Sequence, residues 1–281
     1  VFFKRLAAGV VRRGTNVIVP IYIAAALRMI WLIICFGPLL IGIPVIYGLT
    51  KLVAWLVELW WAYALLAVEC NGATFIKLGQ WAASRRDLFP EEFCNRFGKM
   101  HSAAPSHAWK DTENVLEVSF GPDWRNTLEV ERDPIGTGCV AQVHKGILKV
   151  DESSTPKNVA VKVVHPGLNK SVELDLAVLM YIARTVERIS PQTEWLGLTD
   201  TATEFSELMN SQLDMRVEAE NLKQLSKNFE TNQQIRFPVP IDGYVTELCL
   251  LESFESGVPM NQFIQRGDTR LKKRLARTGL A

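Results

Sequence analysis

Two things are scarce in this sequence of 281 residues: net charge and paired cysteines. Lys and Arg total 31 against 30 for Asp and Glu, a net +1 at pH 7. No basic excess points to a nucleic-acid partner. The five cysteines, Cys35, Cys70, Cys94, Cys139 and Cys249, form no C-x-x-C pair. That scatter argues against a disulfide framework and against a zinc site. His101, His107, His144 and His165 are the only histidines, and none opens an H-x-D loop. Internal repeats and low-complexity tracts are missing too. With 48% hydrophobic and 22% charged residues, a disordered chain is excluded, and the length suits about two domains. The sequence opens on Val1 and stops at Ala281 inside a helical pattern, so it reads as a piece of a longer protein.

Acidic residues are missing from the start of the chain. Residues 1–28 carry Lys4, Arg5, Arg12, Arg13 and Arg28 with no acid among them. This basic segment resembles the tail of a mitochondrial targeting sequence. Residues 29–50 then carry no charge at all. Some twenty helical residues, at about 1.5 Å each, cover the hydrocarbon of a bilayer. Trp31 and Tyr47 stand near the two ends, where amphipathic rings favour the interface. Pro38 and Pro44 are expected to kink or break such a helix. The segment therefore reads as a membrane span or a re-entrant hairpin; a hydrophobic hairpin buried against the folded domain has the same composition. Basic residues flank both sides, with Lys51, Lys77, Arg85 and Arg86 following, which leaves the orientation open.

A helical stretch over residues 53–122 comes next. Val53 to Glu69 reads as an amphipathic helix, and Asn71-Gly72 as its break. Lys77 and Gln80 are three apart and share a helix face, with Gly79 between them leaving room for another backbone. An ordinary polar face has the same pattern. Pro90, Glu91 and Glu92 read as the start of a further helix.

From Thr127 the period shortens to that of strands. A turn at residues 134–138 separates two alternating runs, and its Gly136 and Gly138 could bare backbone N–H groups to anionic oxygens. A tight hairpin without a ligand would look alike. The polar residues 151–158 lead into the strand VAVKVV, whose single charge is Lys162. A lysine there must pair or snorkel at a strand edge. Glycine loop, strand, then V-A-x-K is the order of the first kinase strands, in which the lysine holds phosphates and pairs with a helical glutamate. Thr201 and Glu204 fit a capping box that opens a long helix through Phe229. Glu218 lies centrally in it as the candidate partner, and Asp214 one turn earlier on the same side. Both could equally be solvated surface acids. Asp242-Gly243 reads as a turn between two strands.

In this order the motifs resemble the UbiB, or aarF-domain-containing, atypical kinases, nearest a mitochondrial membrane branch of the family. The matching residues are KLGQ at 77–80, PIGTGCVAQVHKG at 134–146, VAVKVVHPG at 159–167 and QLDMRVEAENL at 212–222. The resemblance implies an α+β fold: a kinase-like small lobe of antiparallel sheet plus long helix. To it are added an N-terminal helical K-x-G-Q extension and the hydrophobic membrane segment. Residues 123–281 would be the small lobe and the start of an incomplete large lobe. It further implies binding of ATP, or another nucleotide, with Mg²⁺. Gly136, Thr137, Gly138, Cys139 and Val140 would form the phosphate loop, and Lys162 and Glu218 the ion pair. Leu251 and Glu252 would lie at the adenine hinge, and Lys77 and Gln80 in the element packing over the nucleotide. Gln212 and Asp214 occupy the family's E-x-D motif.

By the same resemblance the partners would be membrane lipid and coenzyme Q biosynthesis proteins, and the location a mitochondrial membrane, the inner one. The protein would support ubiquinone synthesis, or mitochondrial lipid metabolism, as an atypical kinase or ATPase. Three departures stand out. Glycines replace the family's alanine-rich loop, and Gln212 replaces the first acid of E-x-D. No catalytic-loop Asp and no metal-binding D-x-G follow, so no metal ligand can be assigned. The alternative is a pseudokinase that acts as a membrane scaffold or lipid-presenting partner without chemistry.

Overall fold

A computed structural model describes residues 11–12, 18–19, 21–49, 54–100, 106–149, 156–232, 234–258, 263 and 269–280. Most of residues 1–20, and residues 101–105 and 151–155, lie outside the described set. The helices are α1 (Ile21–Leu49), α2 (Ala54–Cys70), α3 (Ala73–Ser84), α4 (Glu91–Phe97), α5 (Trp109–Phe120), α6 (Leu168–Ile189), α7 (Leu198–Leu213), α8 (Met215–Asn228) and α9 (Thr269–Leu280). The strands are β1 (Val11–Arg12), β2 (Ile18–Val19), β3 (Leu128–Val130), β4 (Gly136–Thr137), β5 (Ala141–Leu148), β6 (Lys157–Val164), β7 (Pro240–Val245) and β8 (Cys249–Ser253). The chain divides into two compact units, one formed by residues 1–107, 137–141 and 164–213, the other by 108–136, 142–163 and 214–281.

The first unit is helical. Its α1 runs unbroken through Pro38 and Pro44 and begins at Ile21, ahead of the uncharged stretch. The expected break is absent. Each proline removes one backbone bond, while a seam of other residues still packs: Leu32 and Leu39 are buried, with Met29 and Phe36 beside them. Tyr63 Oη donates to the Cys35 carbonyl at 3.0 Å and Trp60 Nε1 to that of Leu39 at 3.3 Å, so α2 returns antiparallel to α1. The amphipathic character expected of α2 is weak. Apolar Trp55, Leu59 and Leu66 remain exposed although Ala64, Ala67 and Val68 are buried.

Gly79 of α3 does make a close approach, but to a side chain and not a backbone. A Cβ there would stand 3.1 Å from Phe97 Cδ1. The long α6 escaped the sequence reading, although Val172, Leu176 and Ala183 mark a buried stripe at helical spacing. It packs Phe205, Met209 and Leu213 of α7.

The second unit is a six-stranded sheet of order β3-β5-β6-β8-β7, with β4 paired on β5. The β3–β5, β6–β8 and β7–β8 pairs are antiparallel. Buried Leu116 of α5 joins Val159, Val161, Val163, Cys249 and Leu251 in the core on one face. Period 2 places Ala160 and Lys162 on the opposite face, towards α8. Gly146 sits where strands crowd: a Cβ would meet the Glu129 carbonyl at 2.8 Å and Val161 at 3.1 Å.

Three expectations are corrected here. The helix predicted from Thr201 to Phe229 is two helices, because Asp214 is extended (φ −104°, ψ 106°) and caps α8 by accepting from Arg216 N. The first of them, α7, starts at Leu198, before the capping box, where the Glu187 carboxylate accepts from the Thr199 amide and hydroxyl. Asp242-Gly243 lies inside β7 at a register shift, with Gly243 at φ 84°; the reversal comes after Val245.

Candidate functional site

In the second unit, Lys162, Glu218 and Glu252 gather on one side of the sheet. Lys162 reaches off β6, and its Nζ donates to Glu218 Oε1. Glu218 stands in the first turn of α8, not centrally in a long helix, because the chain breaks at Asp214. There the positive end of the helix dipole favours a carboxylate. The lysine side chain is 25% exposed and the glutamate 36%, so the pair is half-buried and open to a ligand.

Glu252 belongs to this cluster. It is paired with Ala160 across the β6–β8 ladder, two residues from Lys162 and hence on the same sheet face. Burial pushes its carboxyl above the ordinary range; the Lys162 charge opposes this and the Glu218 charge adds to it. The ladder also continues past Glu252, since Phe254 N donates to Asn158 O at 3.2 Å. Backbone free of sheet pairing therefore begins beyond Phe254. What Glu252 presents to this face is a half-buried acid beside a cation.

Gly136 lies in β4, and the reversal falls at residues 138–141, where Gly138 N donates to Ala141 O at 2.8 Å. The expected turn at 134–138 is thus displaced towards the C-terminus. Neither glycine has positive φ. A Cβ on Gly136 would meet nothing within 4 Å, and one on Gly138 only the Ala141 carbonyl at 3.5 Å. The fold itself thus gives no steric reason for glycine at 136, whereas at 146 it does. Open space where a Cβ would sit is what a ligand's close approach uses.

In the first unit, Lys77 and Gln80 lie on α3. Gln80 Nε2 donates to the Met100 carbonyl at 3.1 Å. Burial pushes the Cys139 thiol up, and the Lys77 charge opposes this. The sequence reading passed over the histidines here. His165 Nε2 stands 2.8 Å from the Gly138 carbonyl, and its Nδ1 2.7 Å from His107 Nδ1. His165 donates Nε2–H to that carbonyl, and one hydrogen bond joins the two Nδ1 atoms. The only sequence signal was His165 within the VAVKVVHPG motif.

Val140 packs against the same helical core, and its carbonyl accepts from His165 N at 2.9 Å. Gln212 Oε1 is buried with no hydrogen-bond partner. Asp214 is engaged by Arg216 at 2.7 Å, and hydrogen bonding to that guanidinium holds its carboxyl below the usual range. Among the described residues no cluster of three His, Cys, Asp or Glu could hold a metal ion.

A family model described as the ABC1 atypical kinase-like domain matches residues 99–279, well over half of the sequence. The chain belongs to the ABC1 atypical kinase family, the UbiB/aarF group. A mitochondrial ABC1 family protein of Schizosaccharomyces pombe is 33% identical, over 90% of this chain and 41% of that protein. The probable serine/threonine-protein kinase abkC of Dictyostelium discoideum is 34% identical, over 80% and 32%. A mitochondrial ABC1 family protein of Saccharomyces cerevisiae is 34% identical, over 78% and 36%. The chain thus spans about a third to two fifths of the length of these relatives. Among solved structures, the Mycobacterium tuberculosis protein Rv3197, in complex with erythromycin, matches 78% of this chain and 54% of that one, with TM-score 0.53 and 24% identity. That likeness concerns the fold alone, an α+β kinase-like architecture.

Proposed function

We propose that the chain is the nucleotide-binding portion of a membrane-bound atypical ATPase or kinase of the ABC1 family, acting in mitochondria in support of ubiquinone synthesis. The observation that carries the reading is the half-buried Lys162–Glu218 pair on the sheet, with Glu252 beside it. An exposed lysine needs no such support. Held from one side by Glu218, its remaining N–H donors can turn to anionic oxygens. Bound Mg²⁺-nucleotide would supply the phosphoryl group. Lys162 would hold the α- and β-phosphates, and Gly136 would let them approach the backbone. Lys77 and Gln80 would serve as the regulatory element, and Gln212 and Asp214 as the altered E-x-D.

The location rests on the printed names of two fungal relatives as mitochondrial. The membrane rests on Tyr22–Gly42, a stretch of 21 residues long and apolar enough to cross one. The ubiquinone role rests on the resemblance in the motifs. Catalytic base and metal ligands would come from parts of the whole protein outside this chain, whose sequence holds no H-x-D. Residues 53–281 should therefore bind nucleotide without turning it over. Mg²⁺-dependent ATP hydrolysis by that purified segment, above the rate of a Lys162→Met control, would overturn this division of labour. Failure to bind any nucleotide would favour the scaffold reading.

A further inference from the structure

We propose that α1 lies along a bilayer surface, one face in lipid and the other on its own helical unit, instead of crossing the bilayer end-on. The inference deepens the membrane-bound reading above and rests on it. By length and mean hydropathy (2.1) residues 22–42 would pass as a span, and with only 11% of the most apolar stretch buried they are not the core helix of a soluble fold. What decides the posture is which face is buried. Ala25, Met29, Leu32, Phe36 and Leu39 recur at three and four residues and pack into the core with α2 and α3. This seam runs about 21 Å along the helix. The opposite side is exposed and apolar, with Ile23, Leu27, Ile30, Ile34 and Ile41 between 41% and 77% accessible. On the neighbouring α2, Trp55, Leu59 and Leu66 are exposed as well.

Charges sit beside both ends of the seam. At one end Arg28 Nε donates to Asp175 Oδ1 at 2.6 Å and Arg28 Nη2 to the Asn71 carbonyl at 2.6 Å. Asp175 is 2% exposed and belongs to α6. At the other end, Leu39 accepts from Trp60, and two residues away Glu58 pairs with Arg96, which also holds Glu92. A helix crossing the bilayer while keeping this seam would carry the Arg28–Asp175 pair, whose arginine lies inside the apolar stretch 22–42, into hydrocarbon. Such groups are expensive there. Lying flat, α1 keeps every contact and places only its apolar side in lipid.

The occupant is a lipid surface, argued from charge. No acidic residue precedes Glu58, while Lys4, Arg5, Arg12 and Arg13 lead into α1. A basic, acid-free sequence ahead of an apolar helix matches anionic headgroups, and Tyr22, Trp31 and Trp55 are exposed, as interfacial aromatics are.

The test uses the full chain with Cys35→Ala and Cys70→Ser, since the other three cysteines are buried. Ile23, Ile30, Ile34 and Ile41 are changed one at a time to Cys and carry an environment-sensitive fluorophore. The protein is bound to phosphatidylcholine vesicles with and without phosphatidylglycerol, and depth is read by quenching with brominated lipids. The expected result is one shared shallow depth for all four labels, and binding that falls several-fold without phosphatidylglycerol. Tyr22→Cys and Ala54→Cys should both react with an impermeant maleimide from outside. A profile deepest at Ile30 and Ile34 and shallow at Ile23 and Ile41, with one of those two sites shielded, means a span; it overturns the inference and leaves membrane anchoring standing. No binding to either vesicle overturns anchoring itself. Labels buried in a lipid-free dimer, seen by sedimentation, would assign the face to a second copy.

Discussion

Replacing Glu218 by Gln keeps the side chain's shape and removes its charge. An exposed ion pair contributes about 0.2–1 kcal/mol, whereas breaking a buried one costs about 3–5 kcal/mol. With 25% and 36% of its two side chains exposed, the Lys162–Glu218 pair lies between these limits. Solvent screens it substantially, and Lys162 retains Glu252 on its own sheet face. The expected loss is therefore about 1–2 kcal/mol. A protein of this size loses about 2–4 °C of Tm per kcal/mol, so the melt should drop by about 2–8 °C. Scanning calorimetry at pH 7 measures it, with circular dichroism to show that the helices persist. Added salt should shrink the difference only in part, because the pair is half-buried. A Tm unchanged in both Glu218→Gln and Lys162→Met would refute the pairing.

Glu252→Gln should act in the opposite direction. Its folded carboxyl titrates above the ordinary value of 4.5, so ionising it at neutral pH opposes folding. The penalty is absent below the ordinary value and grows as pH rises through the raised one. The variant should melt higher than wild type at pH 7, with the advantage vanishing below pH 4.5; an advantage independent of pH would contradict this. Asp175→Ala leaves Arg28 without its buried partner and should cost about 3 kcal/mol or more, read as a lowered urea midpoint. Gly136→Ala should leave the melt unchanged and weaken nucleotide binding, while Gly146→Ala should destabilise by about 1–3 kcal/mol through overpacking. Equal melts for the two alanine variants would remove the distinction drawn between these glycines.

The strands around Lys162 were legible because a single charge inside VAVKVV must find a partner, and motif order named Glu218 for it. The helix carrying Glu218 was legible only in part. Asp214 looks like any acid on a helix face, yet its carboxylate takes the Arg216 amide and ends the preceding helix. Helical spacing holds on both sides of such a break and hides it. The role of Glu252 could not be read either, because register across β6 and β8 decides which face it shares. His165 escaped for a related reason: a loop carbonyl as partner leaves no mark in residue spacing. In α1 the sequence showed an apolar run and prolines. The buried seam that holds it in place depends on α2 and α6, which no local pattern reveals.

The central claim is that Lys162, held by Glu218, receives nucleotide phosphates. Titration calorimetry of Mg²⁺-ATP into the full chain tests it most directly, alongside Lys162→Met, with a melt to show that the variant is folded. The account predicts saturable binding in wild type and its loss, or at least a tenfold or so weakening (about 1.4 kcal/mol), in the variant. Equal binding by both folded proteins would contradict it.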